Sequence, residues 1–273
     1  LISAALAERS IALFGSLPTN GDIEIPSRHL GLVQAADLAA SGALEAMINK
    51  AAELVTAHLD LGAIEAAFTS IAAPAAGPAL LPPPGQRIAI ARDAAFGFSY
   101  EHLMAGWRNA GAKIMNFSPL ANEAPPPNAD FIFLPGGYPE LHLPELSRAS
   151  NFLGGLRAAA KRSTRIYGEC GGYMVLGGTI IDAEGTSYPM AGLLALETSF
   201  AKRKLHLGYR RMTPLAQAWP GLEPITGHEF HYTSATRVEG DPLFAVSDAA
   251  GRNLGTMGLV RGSVAGSYAH IIA

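Results

Sequence analysis

Arg165-Ile166-Tyr167-Gly168-Glu169-Cys170-Gly171-Gly172-Tyr173 is the stretch on which the reading of this chain turns. Cys170 is the single cysteine in 273 residues. A short apolar run leads into it and two glycines follow. The pattern reads as a strand that bends sharply into a helix and presents a thiol at the bend. The same geometry exposes a nucleophile on open α/β sheets, and such a bend needs residues that tolerate unusual backbone angles and close approach. A lone cysteine is also a common buried small hydrophobe. The stretch by itself leaves both readings open.

Strands and helices alternate on its N-terminal side. Arg87–Ala91, Lys113–Phe117 and Phe131–Leu134 read as short buried strands, and the run before Cys170 is a fourth. Tyr100, Leu103, Met104, Trp107 and Ala110 mark one helix face, closed by Gly111. Residues 145–162 read as another helix, with Leu146, Ala149, Leu153, Leu156 and Ala160 inward. Strictly alternating elements imply a parallel sheet covered on both faces. Ligands on such sheets sit at the carboxyl ends of the strands. Gly136-Gly137 and Cys170 both fall at such ends and can share one site. From about Thr179 the grammar changes to shorter runs expected to pair mostly antiparallel: Met190 to Leu196, Leu205 to Met212, Gly227 to Thr233 and Ser263 to Ile271.

Before residue 87 the chain differs. Ile2 to Glu8 reads as a helix end and Ile11–Gly15 as a strand. Leu17-Pro18-Thr19-Asn20 reads as a loop, and Ala43 to Phe68 as one or two helices. Residues 73–86 carry five prolines and read as a semi-extended linker. The expected division is therefore 1–72, a linker at 73–86, and 87–273. The chain begins at Leu1 and reads at once as mid-domain sequence, which points to a fragment.

The totals exclude several classes. The net charge is −3, hydrophobic residues make up 49 % and charged residues 16 %. No basic, aromatic-rich patch points to nucleic acid. No apolar run nears the roughly 20 residues of a membrane span, and the N-terminus lacks a signal-peptide pattern. One cysteine cannot make an internal disulfide, which fits a cytoplasmic protein.

A cysteine attacks as thiolate and needs a base or a positive neighbour. His270, in Gly266-Ser267-Tyr268-Ala269-His270, comes late in the chain. His228 and His231 flank Glu229 in Gly227-His228-Glu229-Phe230-His231-Tyr232. Their three-residue spacing suits metal binding on a helix, but the context reads as strand and zinc spacings are absent, so no metal site is expected. Acyl chemistry also needs an oxyanion hole of backbone N–H groups, which Gly136, Gly137 and Gly171 are placed to form.

The wording Leu134-Pro135-Gly136-Gly137-Tyr138-Pro139-Glu140, Gly168-Glu169-Cys170-Gly171-Gly172-Tyr173-Met174 and Gly227-His228-Glu229-Phe230-His231-Tyr232 resembles the class I glutamine amidotransferase domain of the cobyrinic or hydrogenobyrinic acid a,c-diamide synthases of cobalamin biosynthesis. Ala91–Tyr100 and Gly31-Leu32-Val33-Gln34 extend the resemblance to essentially the whole chain. It implies a flavodoxin-like α/β domain with a mostly parallel central sheet, preceded by the tail of a P-loop-type ligase domain. It implies Cys170 as nucleophile, His270 as base and then acid, and glutamine as ammonia donor. It further implies a corrin precursor amidated at carboxylates a and c with ATP and Mg²⁺, and admits a homodimer. Two departures stand out. The carboxylate usual two residues after the histidine is Ile272 here, and Glu229 is the expected orienting acid in its place. No Gly-Lys dipeptide occurs, so the P-loop is absent. Arg28 and His29 are candidate contacts to the corrin carboxylates. The rival readings are a cobyric acid synthase, a cysteine hydrolase without a partner domain, and an inactive flavodoxin-like binding module.

Overall fold

A computed structural model describes residues 2–25, 38–39, 41–70, 81–216 and 222–272. The chain divides into two compact units, Leu1–Gly77 and Pro78–Ala273. Arg28, His29, the run 31–34 and residues 73–80 of the expected linker lie outside the described residues.

Among its described residues the first unit holds the α-helices α1 (Ile2–Ala7), α2 (Ala43–His58) and α3 (Leu61–Ala67). The Asp60 carboxylate starts α3 by accepting from Ala63 N–H at 2.9 Å. None of the three helices carries a fully buried residue. The strand expected at Ile11–Gly15 does not form. Gly15 makes only an isolated bridge to Leu59, and both Ile11 and Leu13 are exposed. Apolar alternation there meets no continuous partner among the described residues, and a strand needs one.

In the second unit the four strands before the thiol form as their apolar runs predict: β1 (Arg87–Ala91), β2 (Lys113–Phe117), β3 (Phe131–Leu134) and β4 (Arg165–Glu169). Among the described residues four α-helices accompany them: α4 (Glu101–Asn109), α5 (Leu143–Arg148), α6 (Ser150–Lys161) and α7 (Gly171–Leu176). The helix expected over 145–162 is broken at Ala149. There Asn122 Oδ1 accepts from Asn151 N and Phe152 N, at 2.8 and 3.2 Å, and so starts a new helix.

Among the described residues ten further strands follow: β5 (Thr179–Ile181), β6 (Ser187–Pro189), β7 (Ala195–Ser199), β8 (His206–Pro214), β9 (Ile225–His231), β10 (Ser234–Glu239), β11 (Asp241–Ser247), β12 (Asn253–Arg261), β13 (Val264–Ser267) and β14 (Ala269–Ile271). The main sheet runs β14-β9-β8-β11-β12-β13-β4-β3-β1-β2, and β10-β7-β5-β6 form a second sheet. The stretch β2-β1-β3-β4-β13 is wholly parallel, the strand order of flavodoxin-like folds. Beyond β13 every pairing in the main sheet is antiparallel.

Only Tyr268 separates β13 from β14, yet β13 pairs with β4 and β12 while β14 pairs with β9. One run of chain thus joins both ends of the antiparallel strands, and that part of the sheet curls closed on itself. This closure carries His270 to the carboxyl end of β4. Burial on both faces explains the continuous apolar runs. Ala89, Ala91, Ile132, Leu134 and Ile166 pack against α5, α6 and α7. Ile88, Ile90, Phe131, Phe133 and Tyr167 pack with α4 and with the inner residues of β8, β9 and β11.

Candidate active site

The bend at Cys170 is as sharp as its sequence implies. Cys170 has φ 45° and ψ −104°, a left-handed backbone rare for a side-chain-bearing residue, and α7 starts at the next position. Two contacts hold the bend. Cys170 N–H donates to Ser267 O on β13 at 2.9 Å. A Cβ on Gly172 would sit 2.0 Å from Leu134 O, so the first turn of α7 lies directly on β3. The thiol is buried, 3.9 Å from Phe230 O. Burial pushes its pKa far up and the Glu140 charge adds to this, while the Gly171 N–H opposes both.

The glycine loop after β3 meets this bend. A Cβ on Gly136 would lie 2.3 Å from His270 Cε1, so only glycine lets the imidazole pack on the loop. Gly137 N is 3.2 Å from the position a Gly171 Cβ would take, which places the two backbones side by side at the thiol. The expected residues Gly136, Gly137, Cys170, Gly171 and His270 are therefore brought to one place by β3, β4 and β14.

His270 is almost fully buried. Its ring stacks on His228 at 4.9 Å and 10°, and His228 in turn is hydrogen-bonded through Nε2 to the Tyr100 hydroxyl. Burial first, then His228 and His231, lower the His270 pKa to about 3, so the ring is neutral at physiological pH. Thiol and imidazole are both buried and both uncharged at rest.

The acid beside His270 is not the expected one. Glu229 is held by Arg210, with Nη2 at 2.7 Å and Nε at 2.9 Å, and by His231 Nε2 at 2.8 Å. Burial alone would raise its pKa; His231 and Arg210 outweigh that and hold it below the ordinary glutamate value. The carboxylate facing His270 Nδ1 is Glu169, at 3.9 Å. Burial raises the Glu169 carboxyl to about 8, opposed by the Ile271 N–H. Position in the sequence hides this contact, because Glu169 and His270 meet only through the pairing of β13 with β4.

Glu229 instead braces β8 against β9. Glu229→Gln is expected to lower unfolding stability by about 2 kcal/mol, since it leaves a largely buried Arg210 uncompensated. Urea unfolding with an unchanged midpoint would contradict that role.

His206, Glu229 and His231 bring ligand-type atoms within 4.8 Å of one another. The His206 and His231 rings are stacked at 5° and 4.6 Å, however, so their in-plane lone pairs run side by side instead of converging. Arg210 already neutralises Glu229. This is a hydrogen-bonded brace, and its geometry does not suit a cation.

Residues 87–273 match the family model of the CobB/CobQ-like glutamine amidotransferase domain. The chain is 52 % identical to hydrogenobyrinate a,c-diamide synthase of Sinorhizobium sp and 50 % identical to that of Brucella abortus biovar 1 (strain 9-941), over 275 residues in each case. Each alignment covers 100 % of this chain and 62 % of the relative, so the chain spans about three fifths of the length of these curated relatives. A crystal structure of a glutamine amidotransferase superposes on 67 % of this chain and 89 % of its own, with TM-score 0.46 and 14 % identity.

Proposed function

The chain belongs to the CobB/CobQ-like glutamine amidotransferase family, and on that premise we propose that residues 87–273 release ammonia from glutamine at Cys170. The observation that carries this reading is the meeting of a strained cysteine bend, a glycine loop and a buried imidazole at one end of the parallel strands. His270, neutral at rest, takes the thiol proton. The thiolate adds to the glutamine γ-carbonyl carbon, and the oxyanion is held by the Gly137 and Gly171 N–H groups. Collapse breaks the C–N bond, and His270 returns the proton to the departing ammonia. Water then hydrolyses the γ-glutamyl thioester, with His270 again as base, giving glutamate and the free thiol.

The wider reaction we propose is amidation of the a and c carboxylates of hydrogenobyrinic or cobyrinic acid, with the ammonia made here. The names and lengths of the relatives support it. Residues 1–72 are then the tail of the ligase domain. Ile2, Ile11, Leu13, Leu17, Ile48 and Phe68 are all exposed, which is apolar surface that the rest of such a domain would cover. Arg28 and His29 remain candidate corrin contacts.

No P-loop for ATP and Mg²⁺ occurs in this sequence. The sequence has no Gly-Lys dipeptide, and residues 10–25 carry Asp22 and Glu24 with no lysine or arginine to meet a phosphate. The Asn20 side chain in that loop is used on Asp22 N–H at 2.8 Å. No step of the mechanism above passes through the nucleotide. The 273-residue chain is expected to turn over glutamine without amidating a corrin acid, and adding the ligase segment of a relative is expected to restore ATP-dependent diamide formation. Diamide made by the 273-residue chain alone, followed by mass spectrometry, would overturn this division of labour.

A further inference from the structure

We infer that Glu169, the residue immediately before the nucleophile, is the positioning carboxylate of this site and holds His270 through Nδ1. The inference deepens the thiol–imidazole reading above and rests on it. A base that accepts a proton at one ring nitrogen needs the other held by a third group, which fixes tautomer and orientation. The position two residues after His270 offers only Ile272, and the Glu229 carboxylate is engaged by Arg210 and His231.

Glu169 meets the requirement in three respects. Its side chain and that of His270 are 3 % and 4 % exposed, so the pair is shielded from water. Its Oε1 accepts from the backbone N–H of Ile271, the residue after His270, at 3.1 Å. That anchor turns the second oxygen, Oε2, toward Nδ1 at 3.9 Å. Among the described residues His270 Nδ1 has no hydrogen-bond partner although it is buried, and a buried ring nitrogen left unpaired is costly. The ring cannot swing elsewhere to find one, since His228 stacks on its face and Gly136 lies against Cε1.

A separation of 3.9 Å is an ion-pair distance and not yet a hydrogen bond. Catalytic hydrogen bonds often tighten only when substrate binds. The pair gains most at the moment it is needed. The Glu169 carboxyl, raised to about 8, is ionised in alkaline solution; there the attraction is weak while His270 is neutral, and once the ring carries the thiol proton, imidazolium and carboxylate face each other away from water. Interactions that strengthen in the transition state are the ones that raise kcat. The link is also short in sequence: the anchoring carboxylate and the nucleophile are adjacent at the end of β4, so one strand sets both.

The test uses the full 273-residue chain labelled with ¹⁵N-histidine, with the His270 signals assigned through His270→Gln. At pH 9, where the Glu169 carboxyl is ionised, wild type is expected to show a protonated, pyrrole-type Nδ1. Glu169→Ala and the isosteric Glu169→Gln are expected to shift it toward the unprotonated form, whereas Glu229→Gln leaves it in place. In glutamine hydrolysis, Glu169→Gln is expected to lower kcat by roughly 10²-fold with KM changed less than about threefold, and Glu169→Asp to recover part of the loss. Near-UV circular dichroism checks that the variants stay folded. An Nδ1 signal unchanged in both Glu169→Ala and Glu169→Gln would overturn the assignment. The spectra decide it even if wild type fails to hydrolyse glutamine, a failure that would count against the glutaminase reading instead.

Discussion

Cys170→Ala is expected to lower glutamine hydrolysis by roughly 10⁴-fold or more, because no second nucleophile of comparable strength lies at this site. The chain has no other cysteine, so no neighbouring thiol can substitute. The variant should fold. The residue at this bend is held by its backbone, through the N–H to Ser267 O at 2.9 Å and the start of α7, and alanine removes only a sulfur. A fall in activity accompanied by a fall in stability would point to a structural thiol. Loss of activity at unchanged thermal midpoint is the expected result, checked by glutamate release and calorimetry on the same preparation.

Gly172→Ala is expected to act in the opposite way, through the fold. Its Cβ would stand 2.0 Å from Leu134 O and 2.6 Å from Leu134 C, both backbone atoms of a central strand. Neither β3 nor α7 can yield without disturbing the core, and overpacking of this kind costs about 3 kcal/mol or more. Any relief moves α7 away from β3 and takes Cys170 and Gly171 with it, so activity falls together with the thermal midpoint. Gly154 on α6 is the matched control: nothing lies within 4 Å of its added Cβ. Gly154→Ala in that helix should gain about 0.5–1 kcal/mol. Equal stabilities for the two alanine variants would show that the close approach at Gly172 is not the constraint described.

These two glycines mark where the sequence is legible and where it is not. Strands β1 to β4 can be read because burial on both faces writes them as continuous apolar runs, such as Phe131-Ile132-Phe133-Leu134. The cysteine bend can be read because its backbone demands leave a local trace in Gly171-Gly172. β10 is mostly exposed, and β12 is interrupted by Gly255 and Gly258 at positive φ. Neither shows the alternation that betrays a half-buried strand. The break at Ala149 is set by Asn122, which lies on another loop.

The same limit governs the site. Cys170, His270 and the glycine loop announce themselves through residue type and local pattern. The partner of His270 does not, because it depends on β13 and β14 being one bent run that pairs with β4 first and β9 next. From sequence, Glu229 is the natural choice, since it stands between two histidines. In the fold those histidines separate: His228 stacks on His270, while His231 turns to Glu229 and Thr233 O. Strand alternation, invisible in the motif Gly227–Tyr232, sends neighbours to opposite faces.

We propose that Cys170 is a glutamine-directed nucleophile served by His270. That role is tested most directly by exposing the chain to 6-diazo-5-oxo-L-norleucine, an electrophilic glutamine analogue, and mapping the product by mass spectrometry. A single adduct on Cys170 is expected. Glutamine should protect against it, labelling should be much slower in His270→Ala, and Cys170→Ala should show none. A folded wild-type chain that stays unlabelled, or one whose labelling at Cys170 is indifferent to both glutamine and His270, would contradict it.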